Sequence, residues 1–250
     1  MGVNSLHWYY VPALGHVGEF IPMAGDEWHH CTNVMRLTPG DRIILTDGKG
    51  QCFEGMISKA SAKEGSVELI NDVSRIFAAE RHYKVSIGIA PTKNIDRTEF
   101  AVEKITELGV NEICFLNCQH GERNKLRMDR FEKIVIAAAK QSRKTIFPSL
   151  VELTNPLQWI RQKTAENPDQ SILCCHLDPE SIPLFENYLA GRDVVILIGP
   201  EGGFSSDEIK SMKEAKAQLV HLGPFRLRVE TAVISACANI HLINEMKSNE

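Results

Sequence analysis

The hydrophobic pattern of the first 75 or so residues is that of short strands. Residues 42–48, 52–58 and 66–72 are alternating or rich in β-branched side chains, and Gly-rich turns such as DGKGQ separate them. Short strands with this spacing are typical of a small all-β barrel. Upstream, apolar positions within residues 26–41 fall near one face of a short helix that a Pro-Gly pair ends.

From Tyr83 onward, strand-like and helix-like segments alternate. Ala101, Ile105 and Leu108 recur with helical spacing. Gly109 marks the end of that helix. Alternation of this kind predicts an α/β domain with a parallel sheet covered on both faces. We expect strands over residues 84–90, 112–117, 171–176, 193–199 and 217–223, and helices over residues 94–110, 128–144, 206–216 and from about residue 230 onward.

The polar stretch at residues 73–82 predicts a boundary that divides the chain into domains 1–74 and 75–250. Hydrophobic residues make up 43% and charged residues 24%, as in a water-soluble globular protein. We find no stretch apolar enough to span a membrane and no secretion signal, so we expect no membrane partner. Seven cysteines without framework spacing predict reduced thiols, a cytoplasmic location and no metal centre.

Basic side chains concentrate in one part of the chain. The net charge is −4, yet residues 120–150 carry eight basic and three acidic side chains. A local excess of positive charge neutralises nucleic-acid phosphates even on an acidic protein. A solvated helix face explains the same excess equally well from charge alone.

The segment LIGPEGGFSSDE, residues 197–208, places three glycines and a proline directly after an apolar strand. Ligands of open parallel sheets bind at the carboxyl ends of the strands, and glycine lets the main chain approach a ligand closely. Ser205 and Glu208 then have the spacing of a capping box. The loop matches neither the P-loop nor the dinucleotide fingerprint. A tight turn without a ligand is the alternative.

Two further strands end in loops of related composition. The segment LGPFRLRVETA, residues 222–232, again has Leu-Gly-Pro after an apolar run, followed by charged residues and an apolar helix. The segment SILCCHLDPE ends its strand in His176 and Asp178. Three such loops at one edge of a sheet predict a compact pocket built largely of main-chain groups.

These segments resemble the ribosomal RNA small-subunit methyltransferase E family, within the SPOUT superfamily. Three other segments are similar to further segments of that family. They are RTEFAVEKITELGV (residues 97–110), RFEKIVIAAAKQSRK (residues 130–144) and HHCTNVMRLTPGDRIILTDGKG (residues 29–50). The resemblance implies an N-terminal PUA-like β-barrel domain that binds RNA. It also implies a C-terminal α/β domain with a parallel sheet and a deep trefoil knot.

The resemblance implies the activity as well. A member of this family is a homodimer that uses S-adenosyl-L-methionine to methylate N3 of a uridine in small-subunit ribosomal RNA, here expected within the assembled 30S subunit. Uridine N3–H is weakly acidic, so Arg228 is expected to stabilise negative charge on the uracil. Glu230 is expected to accept the proton or to orient Arg228, and Thr231 to hydrogen-bond a uracil oxygen. A salt bridge at the helix start is the alternative for Arg228 and Glu230.

Two larger sets of residues follow from the same resemblance. The expected cofactor contacts are Leu173, His176, Leu197, Ile198, Gly199, Pro200, Glu201, Gly202, Gly203, Leu222, Gly223, Leu227 and Arg228. The expected contacts to RNA are Arg36, Arg42, Arg123, Lys125, Arg127, Arg130, Arg143 and Lys144.

Three places depart from the family pattern. Lys140 stands where a glutamate is usual, and Phe225 stands where a basic or polar residue is usual. The segment SLHWYYV, residues 5–11, with His7 and Trp8, stands where an Arg-Phe-type segment is usual. Two other functions stay open. One is a SPOUT methyltransferase acting on another RNA, such as a ribose 2′-hydroxyl of transfer RNA. The other is a non-catalytic RNA-binding factor of ribosome assembly, against which Arg228, Glu230 and both Gly-Pro loops argue.

Overall fold

The computed structural model describes residues 2–78 and 81–247, which form two compact units. The first unit contains the described part of residues 1–80 together with residues 136–147. The second contains residues 81–135 and the described part of residues 148–250. Each unit has its own sheet. The domain limits 1–74 and 75–250 stay a prediction.

The first unit is built on a five-stranded mixed sheet. Its strands are β1 (Trp8–Tyr10), β2 (Phe20–Ala24), β3 (Arg42–Thr46), β4 (Cys52–Ala60) and β5 (Glu64–Asp72), in the order β1-β3-β4-β5-β2. Only β1 and β3 pair in parallel. β3, β4 and β5 confirm the three strands predicted over residues 42–48, 52–58 and 66–72. No pairing joins β1 to β2 at the two ends of this order among the described strands, so the curled sheet is an open half-barrel.

Short helices complete the first unit. They are a 3-10 turn over Val3–Ser5, α1 (Gly25–His29), a π-helical turn over His30–Val34, and α2 (Ser74–Phe77). The ring of Trp28 is fully buried in the core, and its indole nitrogen donates to the main-chain oxygen of Ser61 at 2.9 Å. The helix predicted within residues 26–41 is therefore present but ends before residue 35.

The second unit is built on a seven-stranded, fully parallel sheet. Its strands are β6 (Val85–Ile89), β7 (Glu112–Leu116), β8 (Ser149–Thr154), β9 (Ser171–Cys175), β10 (Ile182–Pro183), β11 (Val194–Ile198) and β12 (Gln218–His221). Their order is β10-β12-β9-β11-β6-β7-β8. Every residue of β11 is buried, as its uninterrupted apolar sequence requires for a central strand. The predicted parallel α/β sheet is confirmed.

Among the described residues, five helices lie between these strands and a sixth follows β12. They are α3 (Ile95–Leu108), α4 (Met128–Gln141), α5 (Pro156–Glu166), α6 (Leu184–Asn187), α7 (Ser206–Glu214) and, after β12, α8 (Val229–Lys247). α4 continues into the first unit from Ile136 onward. α3 ends where Gly109 adopts a left-handed conformation, with φ of 81°. α4 and α7 end two to three residues earlier than predicted, because Arg143 and Lys216 also take positive φ values near their ends.

The local signals at the start of α7 act as the sequence predicts. The Ser205 side chain accepts a hydrogen bond from the Glu208 main-chain nitrogen at 3.2 Å, and the Glu208 carboxylate accepts from the Ser205 nitrogen at 2.8 Å. This capping box satisfies two main-chain donors at the helix start. It fixes the point at which the glycine-rich loop after β11 must end.

None of the described helices has the length and apolarity needed to cross a bilayer. All seven cysteines are free thiols. Within residues 2–78 and 81–247, no group of three or more His, Cys, Asp or Glu side chains is arranged to hold a metal ion.

Candidate functional site

A cavity of about 650 Å³ lies at the carboxyl ends of three neighbouring strands of the parallel sheet, β9, β11 and β12. Its size is within the usual range for pockets that hold a small organic ligand. It is lined by residues 175–177, 198–204, 220–223 and 225–229, together with Arg97 and Ala232. The pocket predicted from the three loop sequences is therefore present.

Most of the residues predicted to contact a cofactor line this cavity. Leu173 and Leu197 do not: both are fully buried in their strands, and Leu197 belongs to the apolar core beneath the sheet. Their side chains are occupied in packing and are unavailable to a ligand. The predicted residues that do line the cavity are His176, Ile198, Gly199, Pro200, Glu201, Gly202, Gly203, Leu222, Gly223, Leu227 and Arg228.

The loop after β11 is folded so that its main chain faces the cavity. Its turn is closed by a hydrogen bond from the Gly203 nitrogen to the Pro200 oxygen at 2.8 Å. Gly203 has φ of 76°, and a Cβ added there would meet no atom within 4 Å. A side chain at Gly203 would therefore be strained and would project into open space at the cavity wall.

Neighbouring segments hold this loop in place. The Glu201 carboxylate accepts a hydrogen bond from the Lys93 main-chain nitrogen at 3.3 Å, and the Glu201 main-chain oxygen accepts from Nη2 of Arg226 at 2.9 Å. Nδ1 of His120 lies 3.2 Å from the Gly203 oxygen, which makes that ring nitrogen the donor. Glu201 thus braces the loop, a role that the sequence left undecided.

The three predicted catalytic residues have different surroundings. Arg228 lines the cavity, and its guanidinium forms no hydrogen bond with a described residue. The Glu230 side chain is 14% exposed and does not line the cavity, and its Oε1 lies 3.8 Å from Nε of Arg97. Thr231 is exposed and also lies outside the lining.

Arg97 is a cavity residue that the sequence reasoning missed. It lies in the first turn of α3, directly after β6, which pairs with β11 in the sheet. A signal for it existed, since a charged residue at the start of the helix that follows a central strand is well placed for a ligand site. Using that signal required knowing that β6 and β11 are neighbours, although many residues separate them along the chain.

Cys175 is the only cysteine among the residues that line the cavity. Burial raises the pKa of its thiol to about 12. The thiol is therefore protonated at neutral pH and is a poor nucleophile, because the thiolate is the reactive form. This argues against covalent chemistry through cysteine in the cavity.

The basic residues predicted to contact RNA are partly engaged within the protein. Arg123 donates to the main-chain oxygens of Thr92 at 3.0 Å and Lys93 at 2.7 Å, so it supports the segment that carries the Lys93 contact to the glycine loop. Three other candidates form ion pairs: Arg42 with Glu54, Arg127 with Asp129, and Arg130 with Glu99. Lys144 is half-buried. Arg36, Lys125 and Arg143 are exposed.

Lys140, one of the departures from the family pattern, forms an ion pair with Glu27 of α1. Both side chains are largely buried, with 17% and 22% exposed respectively. The second oxygen of that carboxylate accepts a hydrogen bond from the Tyr10 nitrogen at 3.1 Å. Lys140 therefore has a structural role within the first unit.

Comparison with known families defines the class of protein. Residues 79–241 match the RNA methyltransferase domain, and residues 24–70 match the RNA methyltransferase PUA domain. The cavity at the carboxyl ends of β9, β11 and β12 lies within the first of these matches.

Individual relatives narrow the class. The chain is 30% identical to ribosomal RNA small subunit methyltransferase E 2 of Borreliella burgdorferi, over 84% of this chain and 86% of that protein. A probable rRNA-methyltransferase from Porphyromonas gingivalis has the same fold, with a TM-score of 0.86, 34% identity, and coverage of 97% of this chain and 100% of that chain. Ribosomal RNA small subunit methyltransferase E from Neisseria gonorrhoeae, whose structure holds S-adenosyl methionine, gives a TM-score of 0.82 and 25% identity, with 95% and 98% coverage. The chain belongs to the ribosomal RNA small subunit methyltransferase E family.

Proposed function

We propose that this protein transfers a methyl group from S-adenosyl-L-methionine to N3 of a uridine in small-subunit ribosomal RNA. The observation that carries the proposal is a single cavity that combines an exposed, side-chain-poor main chain with three arginines. The names of the relatives support the RNA substrate, and the bound S-adenosyl methionine of the Neisseria protein supports the cofactor.

The cavity fits this cofactor at the Gly203 wall. A ligand can approach the main chain there, because the space that a Cβ would take is open. The apolar side chains of Ile198, Leu222 and Leu227 offer a surface for an adenine ring, and main-chain groups of the same loops offer hydrogen bonds to its edge. When bound, the cofactor supplies an electrophilic methyl group on a sulfonium centre.

The charge of the cavity favours an acceptor that becomes anionic. Arg97, Arg226 and Arg228 line it, against the single carboxylate of Glu201. An excess of positive charge disfavours a sulfonium and favours an electron-rich second reactant beside it. Uracil that has lost its N3 proton is such a reactant, and Arg228 stabilises its negative charge.

Glu230 and Thr231 belong to the proposed acceptor site although neither lines the cavity. Glu230 is close enough to the cavity wall to orient a guanidinium, since it faces Arg97 at 3.8 Å. The proposed bond from Thr231 to a uracil oxygen rests on the family resemblance, because Thr231 lies outside the lining.

Each of the two units carries exposed basic side chains that bind the RNA. Arg36 and Arg143 in the first unit, and Lys125 in the second, are exposed and suited to contact phosphates. The match of residues 24–70 to an RNA methyltransferase PUA domain supports RNA binding by the first unit. Arg42, Arg127 and Arg130 reach RNA only by exchanging the partners described above.

A homodimer, action on the assembled 30S subunit, a cytoplasmic location and a trefoil knot belong to the same proposal. The strand order supports the knot in one respect: the chain passes from β11 to β12 across β9, which lies between them. A crossover of that kind is needed before a later segment can pass through an earlier loop.

The proposal is tested by following tritium from the labelled methyl group of S-adenosyl-L-methionine into naked small-subunit RNA, into isolated 30S subunits and, separately, into transfer RNA. Digestion to nucleosides and mass spectrometry then identify the product. We expect 3-methyluridine, formed with the assembled subunit. A 2′-O-methylated nucleoside or a methylated transfer RNA would show the first alternative function. Binding of RNA without any methyl transfer would show the second.

A further inference from the structure

Arg97 is one of the three arginines that line the cavity. It lies in the first turn of α3, its side chain lines the cavity, and 39% of that side chain is exposed. Its Nε faces Oε1 of Glu230 at 3.8 Å. Its two Nη atoms form no hydrogen bond with any residue that the structure describes, so they are available to a ligand.

Glu230 is placed to hold Arg97 rather than to meet a ligand. Its Oε2 is buried, and none of the described residues donates a hydrogen bond to it. A largely buried carboxylate depends strongly on its cation, because the charge has lost most of its hydration. Since α3 and α8 pack against each other, the Glu230 side chain at the start of α8 fixes Arg97 at the cavity wall.

We propose that Arg97 is a catalytic residue of the methyl transfer and that Glu230 is its positioning residue. The inference rests on the uridine-N3 chemistry proposed above. Loss of the N3 proton spreads negative charge over the ring nitrogen and the two carbonyl oxygens beside it. Arg228 and Arg97 enter the cavity from the starts of two different helices, so each guanidinium stabilises one of those oxygens.

The step balances without a further reagent. The N3 proton leaves to water, and the N3 lone pair forms a bond to the methyl carbon. The bond between that carbon and sulfur breaks, and its electron pair stays on sulfur. The guanidinium groups of Arg97 and Arg228 keep their protons throughout and act only on the charge of the uracil, which is largest before the new bond is complete.

The test compares Arg97→Ala, Arg97→Lys and Glu230→Gln with the wild type, with Arg161→Ala as the matched control. Arg161 is an exposed helical arginine of α5 outside the cavity. Calorimetry measures affinity for S-adenosyl-L-methionine, and single-turnover methylation of 30S subunits is followed as a function of pH. We expect Arg97→Ala to slow the transfer about 10²- to 10³-fold at neutral pH, with cofactor affinity within a few-fold.

A structural role for Arg97 would not reproduce two further expected results. First, the deficit of Arg97→Ala shrinks as pH approaches the pKa of uridine N3, because the RNA then supplies the anion itself. Second, added guanidinium ion restores part of the rate to Arg97→Ala and nothing to Arg161→Ala. Glu230→Gln shows a smaller deficit with the same pH dependence, and Arg97→Lys lies between Arg97→Ala and the wild type.

The inference is overturned on its own if the wild type forms 3-methyluridine and Arg97→Ala forms it at the same rate. It is equally overturned if the deficit is constant with pH and guanidinium gives no rescue. If the wild type binds the cofactor elsewhere or methylates another atom, the proposed function fails, and the inference fails with it.

Discussion

Replacing Gly203 with valine separates the strain of a side chain at that position from its effect on the ligand. Gly203 has φ of 76°, and Gly191 has φ of 83°; a Cβ at either would meet no atom within 4 Å. Gly203 lines the cavity, whereas Gly191 lies outside it in the same unit. Gly191→Val is therefore a matched control for the backbone strain of Gly203→Val.

The size of both effects can be estimated. Holding a non-glycine residue in a left-handed conformation costs about 1–3 kcal/mol. Both variants should then melt about 3–10 °C below the wild type. Only Gly203→Val places three carbon atoms in the ligand space, and overpacking of this kind costs about 1–3 kcal/mol, or about 5- to 150-fold in Kd. Gly203→Ala should lose less, because it adds one carbon atom.

Isothermal calorimetry with S-adenosyl-L-methionine, together with thermal melts of the same preparations, measures both quantities. We expect Gly191→Val to bind as tightly as the wild type and Gly203→Val to bind about 5- to 150-fold more weakly. Equal affinity of the two variants would refute the assignment of the Gly203 wall to the cofactor. Loss of binding in both would show that strain alone explains the effect.

Three other outcomes are expected. Arg228→Ala should abolish methyl transfer with cofactor affinity within a few-fold; equal loss of both would remove its catalytic role. Phe225→Ala should weaken RNA binding about 5- to 150-fold in a salt-matched titration while Phe225→Tyr does not, because Phe225 is 79% exposed at the cavity and base stacking needs an aromatic ring. Burial raises the pKa of the Cys52, Cys114 and Cys237 thiols from 9.0 to about 12. The unfolded chain therefore loses these protons at a lower pH than the folded protein does. As a result, the free energy of unfolding should fall between about pH 9 and 12. Urea unfolding that is unchanged over that range would contradict this account.

Local signals explain why much of the site was visible in the sequence. The capping box of Ser205 and Glu208 and the left-handed Gly109 depend on residues a few positions apart, and both are present in the structure. The uninterrupted apolar sequence of β11 indicates a central strand, because a strand covered on both faces has no polar positions. The cavity followed from these features, since three such strands end in glycine-containing or charged loops.

Features that depend on distant parts of the chain were not predictable in the same way. β1, β2, β8 and α5 are absent from the expected elements, because the hydrophobic pattern did not distinguish them from loops. The pairing of Arg97 with Glu230 requires α3 to pack on α8. The hydrogen bonds from Arg123 to main-chain oxygens likewise depend on the tertiary fold. The sequence therefore predicted the positive charge of Arg123 but not its hydrogen-bond partners.

Reverse transcription of small-subunit RNA tests the central claim most directly. A methyl group on N3 removes the hydrogen-bonding edge with which uridine pairs, so the enzyme that copies the RNA stops beside the modified nucleotide. We predict one new stop after 30S subunits lacking the modification are incubated with this protein and S-adenosyl-L-methionine, and none with Arg228→Ala. Incorporation of the labelled methyl group without such a stop would contradict uridine-N3 methylation.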